Sequence, residues 1–135
     1  MDEFAPKLKA KVLLVEDNET YRKVVKNAMQ LEGLDYFEAE NGQKALEKVK
    51  LNRPDLILCD ISMPVMDGMT FLSEMKKDPQ LSTIPIIMLT NYQEELENSV
   101  KNGAEEALLK SSLTPHQLIE VCRKYVFPET PNPTP

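Results

Sequence analysis

No apolar run in this 135-residue chain approaches the ~18 residues of a membrane-spanning helix, so a helical span is excluded. Basic residues are in the minority: 16 Lys and Arg stand against 22 Asp and Glu, a net charge of −6. A nucleic-acid surface would need clustered Lys and Arg, so no nucleic-acid partner is expected. Cysteine is scarce, and Cys59 and Cys122 fit no metal-ligand spacing. In an acidic intracellular domain both would stay reduced. The single histidine, His116, falls in the first turn of a predicted helix and is expected at the surface, not as a ligand. The beginning of the chain, MDEFAPKLKAK, lacks the apolar core of a secretory signal, and the cytoplasm is the expected compartment. Internal repeats are absent. Low complexity is confined to PETPNPTP, residues 128–135, which has little to bury and is expected to be an extended, flexible tail.

What is present is an ordinary globular composition, 41% apolar and 28% charged, at a length that suits one domain with one sizeable core. The expected division is an N-terminal extension over 1–9, one domain over 10–127, and the Pro-rich tail. Apolar strands alternate with amphipathic helices. Strands are predicted at 11–17, 34–40, 56–59, 84–89 and 107–109. The first helix carries Tyr21, Val24, Val25, Ala28 and Met29 inward and closes at Gly33. Asn41 caps a second helix with Ala45, Leu46 and Val49 on one face, and Asp67 a third with Met69, Leu72 and Met75. A weaker acidic helix runs through Leu96 and Val100 to Gly103. Thr114, Pro115 and Gln117 form a capping box that starts the last helix, which presents Leu118, Val121, Cys122 and Tyr125. Five strands alternating with five helices imply an α/β fold, a parallel sheet covered on both faces.

One stretch raises a chemical question. In DLILCDISMP, residues 55–64, an apolar run ends on the carboxylate of Asp60. Ligands of an open parallel sheet bind outside the carboxyl ends of the strands, where the winding reverses. With strand order 2-1-3-4-5, Glu16, Asp17 and Asp60 meet in one crevice, with Thr90 and Lys110 on its far side. Three neighbouring carboxylates repel, and a divalent cation relieves the repulsion; hard oxygen ligands favour Mg²⁺. The lysine ammonium and the threonine hydroxyl can each bind a phosphoryl oxygen, and an aspartate between them can attack phosphorus to form an acyl phosphate.

The segments VLLVEDN, DLILCDISMPVMDG, IPIIMLTN and GAEEALLK, in this order and spacing, resemble the receiver domain of two-component response regulators, the CheY-like superfamily. The resemblance implies a flavodoxin-like, doubly wound fold. It implies Asp60 as phosphoacceptor, Asp17 and Glu16 as Mg²⁺ ligands, and the Ser62 carbonyl as a further metal ligand. Lys110 would bridge to the acidic pocket and then to the phosphoryl group, and Thr90 would swing towards that group on activation. The phosphoryl donor would be a histidine kinase or a histidine phosphotransfer protein. The domain would catalyse only its own phosphorylation and dephosphorylation, and would signal through its fourth helix, fifth strand and fifth helix to a protein partner or output domain that the sequence does not name. A phosphohydrolase of related chemistry is disfavoured, because it would need a second acid where Ser62 stands.

Three positions depart from the family's common pattern. Ala107 replaces the aromatic three residues before the lysine, so the aromatic half of the usual output switch is missing. Ser111 follows Lys110 where proline is usual, and a trans bond with a re-shaped loop is expected. Asn91 replaces a small residue after Thr90 and is expected to shield the acyl phosphate from water. Ala107 and Ser111 keep open a pseudo-receiver, a scaffold acting through constitutive protein contacts. Elsewhere plain packing is expected: Cys59 and Cys122 in the core, Met63, Met66, Met69 and Met75 packing loop and helix, Tyr92 at the surface, and Glu94, Glu95 and Glu97 on a solvated helix face.

Overall fold

Strand runs such as LILCD and IIMLT have no polar face to show to water, so they can persist only where both sides of a sheet are covered. The computed structural model, which describes residues 10–126, meets that requirement with β1 (Lys11–Val15), β2 (Asp35–Ala39), β3 (Leu56–Asp60), β4 (Ile86–Thr90) and β5 (Glu106–Leu109). All pairings are parallel and the order is β2-β1-β3-β4-β5, as the alternation predicts. The helices are α1 (Glu19–Leu31), α2 (Gly42–Leu51), α3 (Gly68–Lys77), α4 (Leu96–Lys101) and α5 (Pro115–Val126). The predicted extension over 1–9, Phe127 and the predicted tail over 128–135 lie outside the described residues.

Strand alternation divides the core in two. Leu13, Val15, Ile57, Cys59, Ile86 and Met88 face α2 and α3, where Ala45, Val49, Phe71, Leu72 and Met75 are buried. On the other face Val12, Leu14, Leu56, Leu58, Ile87 and Leu89 meet Val25 and Met29 of α1 and Leu118, Ile119 and Cys122 of α5. Both cysteines are therefore free, buried core residues. The caps hold as read. The side chain of Asn41 accepts from Lys44 N (2.9 Å), and that of Asp67 from Thr70 N (2.8 Å). The Thr114–Gln117 box closes with bonds of 2.9 and 3.1 Å.

Several details differ from the expectation. β1 stops at Val15, which leaves Glu16 and Asp17 beyond the ladder. β4 starts at Ile86 because Pro85 has no amide to donate, although its carbonyl accepts from Ile57 N (3.0 Å). Val24 and Val100 are half exposed rather than core, and in α4 the buried residue is Ser99. Phe71 and Ile119, which had not been singled out, are fully buried. No cis peptide bond occurs among the described residues, so Lys110–Ser111 is trans, and Lys110–Ser112 forms a single 3₁₀ turn.

In the loop after β3 the glycine serves close approach, and a non-glycine residue takes the left-handed conformation. That residue is Val65, at φ 70°. Gly68 instead permits close approach: a Cβ there would lie 2.1 Å from the Asp60 carbonyl oxygen. The Gly68 amide donates to Ile61 O (2.8 Å), which pulls the start of α3 against the end of β3.

Candidate functional site

The parallel register brings Val15 level with Cys59, Asp60 with Leu89, and Thr90 with Leu109. The residues at or just after these strand ends therefore share one edge. They line a cleft of about 530 Å³ formed by Glu16, Asp17, Asn18, Glu19, Asp60, Ser62, Thr90, Asn91, Tyr92 and Lys110. All six residues singled out in the sequence, Glu16, Asp17, Asp60, Ser62, Thr90 and Lys110, are in this lining.

Each acid is held differently. Glu16 is 1% exposed, which a lone carboxylate would not tolerate. Its Oε1 accepts from Lys110 Nζ at 2.7 Å and its Oε2 from the Asn18 amide at 3.1 Å. Asp60 is 8% exposed; its Oδ1 accepts from the Ile61 amide (2.9 Å), and its Oδ2 lies 3.8 Å from Lys110 Nζ. Asp17 is exposed at the rim. Oxygens of these three carboxylates lie within 4.8 Å of one another, an arrangement that can hold a metal ion.

The charge balance shows why a cation suits the place. Burial, and then the neighbouring Glu16 carboxylate, push the Asp60 carboxyl up to about 6, against the pull of Lys110 and the Ile61 amide. One ammonium does not neutralise three acids. Hard oxygen donors in this number fit Mg²⁺, and Ser62 is part of the same lining.

Lys110 starts on the far side of the crevice, just after β5, and its side chain bridges to the acids. It crosses to Glu16 because that buried carboxylate needs a counter-charge, and its ammonium passes over the ring of Tyr21, 4.4 Å from the ring centre. Tyr21, placed in the core of α1 by the sequence pattern, thus also supports the lysine. Its phenol is pushed up to about 12 by burial and by the charges of Glu16 and Asp60.

Glu95 corrects another expectation. It does not belong to a freely solvated face: it is half-buried in the 3₁₀ turn Gln93–Glu95 and accepts the hydroxyl hydrogen of Thr90. Nothing in the run QEELE marks which glutamate turns inward; that depends on the pitch of the turn. Thr90, 2% exposed, also accepts from the Tyr92 amide (3.0 Å). Tyr92 itself is 55% exposed, a surface tyrosine as expected. His116 is likewise exposed, 3.8 Å from Glu120. Ala107 sits half-buried on β5 against the α2–α3 side of the core.

Comparison with known proteins agrees with this geometry. Residues 12–123 match the family model described as the response regulator receiver domain. The polar-differentiation response regulator DivK of Brucella anthropi is 31% identical over 116 residues, which cover 85% of this chain and 94% of the relative. Among solved structures, the chemotaxis response regulator CheY4 of Vibrio cholerae superposes with a TM-score of 0.79 at 31% identity, covering 87% of this chain and 98% of that one. The signal receiver domain of a signal transduction histidine kinase from Syntrophus aciditrophicus gives 0.81 at 28%, covering 93% and 96%. A five-stranded parallel sheet, an acid cluster at its switch point and a sequence match across most of the chain lead to one conclusion: this chain belongs to the response regulator receiver domain family.

Proposed function

We propose that Asp60 accepts a phosphoryl group from a phosphohistidine on a histidine kinase or phosphotransfer protein, and that the modified domain changes its protein-binding surface. The single observation that carries this reading is the convergence of Asp60 with Glu16, Asp17 and Lys110 at the switch point of the sheet.

The chain's own groups have distinct parts in the transfer. Asp60 Oδ attacks phosphorus, the P–N bond to the donor imidazole breaks as the P–O bond forms, and the leaving nitrogen keeps its electron pair and is protonated. Glu16, Asp17 and the Ser62 carbonyl would hold Mg²⁺ together with Asp60. When bound, the ion supplies positive charge against the carboxylates and the incoming phosphoryl oxygens. The Ile61 amide keeps one Asp60 oxygen engaged and thereby orients the other. Lys110, already 3.8 Å from Asp60 Oδ2, is placed to pair with a phosphoryl oxygen. The Thr90 hydroxyl is a further donor in the lining, and Asn91 and Tyr92 at the mouth govern access of the water that ends the signal. The signalling unit on this reading is residues 10–127, and its chemistry is confined to its own modification. Because Ala107 replaces an aromatic, the output depends on other contacts near α4 and β5.

Intact-mass spectrometry tests this with Mg²⁺ and acetyl phosphate, beside Asp60→Asn and beside wild type with Mg²⁺ chelated. One added phosphoryl group that both controls lack is the expected result. No adduct with acetyl phosphate or with histidine kinases as donors would move the function to a constitutive binding surface.

A further inference from the structure

The Thr90 hydroxyl has one hydrogen, and Glu95 accepts it. Its oxygen is also engaged, by the Tyr92 amide at 3.0 Å. Glu95 does not line the cleft that contains Asp60, whereas Thr90 does. A phosphoryl group has only acceptor oxygens, so Thr90 cannot donate to it and to Glu95 at once. The two bonds exclude each other.

Glu95 is also tied to the helix behind it. Its amide donates to Tyr92 O (3.1 Å), and its carbonyl accepts from the hydroxyl of Ser99 at 2.9 Å. Ser99 is fully buried in α4, with its oxygen 3.8 Å from Met69 Sδ of α3. A polar chain therefore runs from the cleft through Thr90 and Glu95 to α4, beside the strand on which Ala107 leaves no aromatic to carry a signal.

We propose that Glu95 is a positioning residue: in the resting protein it withholds the Thr90 hydroxyl from the cleft, and phosphoryl binding at Asp60 releases Glu95 and with it the turn leading into α4. The inference rests on the functional reading above. It assigns the coupling between the site and α4 to one hydrogen bond that must be exchanged for another.

The test is a thermodynamic cycle on the full chain with beryllofluoride, an acceptor-only phosphoryl mimic, titrated in Mg²⁺ by calorimetry. Glu95→Ala is expected to bind it about fivefold more tightly than wild type, the scale of one exchanged hydrogen bond. Glu95→Gln should fall between the two, because its amide oxygen still accepts but carries no charge. In a Thr90→Val background, adding Glu95→Ala should change nothing. An equal gain in that background would assign the effect to loss of negative charge near an anion and overturn the proposal; so would no gain from Glu95→Ala alone. A second readout needs no phosphoryl group. In the metal-free protein, amide exchange at Ser99 and Val100 should quicken in Glu95→Ala and at least as much in Thr90→Val, which also frees the Tyr92 amide, and adding Glu95→Ala to Thr90→Val should change nothing further. If wild type binds no beryllofluoride, the functional reading fails, and the exchange experiment decides the latch by itself: unchanged rates in the two single variants overturn it.

Discussion

Replacing Asp60 by Asn should stabilise the metal-free fold at neutral pH while abolishing phosphorylation. The reasoning starts from burial: Asp60 is 8% exposed beside a Glu16 that is 1% exposed, and its carboxyl is raised from 3.8 to about 6. A raised carboxyl pKa means the native state binds the proton more tightly than the unfolded chain does. The native fold therefore loses stability as pH climbs from about 4 to about 6, and the full penalty remains above that window. Two pKa units at 1.36 kcal/mol each set its size at about 3 kcal/mol. Asparagine keeps the oxygen that accepts from the Ile61 amide and carries no charge to lose. Thermal unfolding in EDTA should thus place Asp60→Asn about 2–3 kcal/mol, on the order of 10 °C, above wild type at pH 7.5. The difference should vanish below pH 4. Saturating Mg²⁺ should close the gap from the other side, because a hundredfold excess over Kd adds about 2.7 kcal/mol to the protein that binds it. A variant no more stable than wild type in EDTA, or a gain indifferent to pH, would refute the electrostatic account of the pocket.

Three further outcomes follow from the same contacts. Lys110→Met should cost about 3 kcal/mol in EDTA, because Glu16 is left buried without its cation, and should move Asp60 titration in ¹³C NMR to still higher pH; Mg²⁺ should restore part of the lost stability. Gly68→Ala should destabilise by about 3 kcal/mol or more in urea unfolding, since its Cβ would meet the backbone of Asp60 and Ile61 rather than a pliable side chain. Asn91→Ala opens the mouth of the cleft and should shorten the acyl-phosphate lifetime several-fold, measured by loss of the phosphoryl mass after donor removal; an unchanged lifetime would assign the shielding elsewhere.

The architecture was legible because burial leaves few options. Continuous apolar runs demand a sheet covered on both faces, and short crossovers through helices make it parallel, so the polar residues after each run had to share an edge. Glu16, Asp17, Asp60, Thr90 and Lys110 could be grouped on that ground alone. The caps at Asn41, Asp67 and Thr114 were local too, each set by bonds within four residues. The errors arose where a choice depended on a distant neighbour. Val24 and Val100 fit a helical stripe, yet neither face is covered there, and Ser99 goes inward instead.

The sequence by itself determined the element order, the strand pattern and the identity of the groups at the switch point, because these depend on periodicity and on short-range bonding. Only the tertiary structure decided that Lys110 pairs with Glu16 across the cleft, that Gly68 is needed for close approach, and that Glu95 rather than Glu94 or Glu97 takes the Thr90 hydroxyl. Those outcomes hang on distances of an ångström or two between segments far apart in the chain or on the pitch of one short turn. Residue type and spacing do not carry that information.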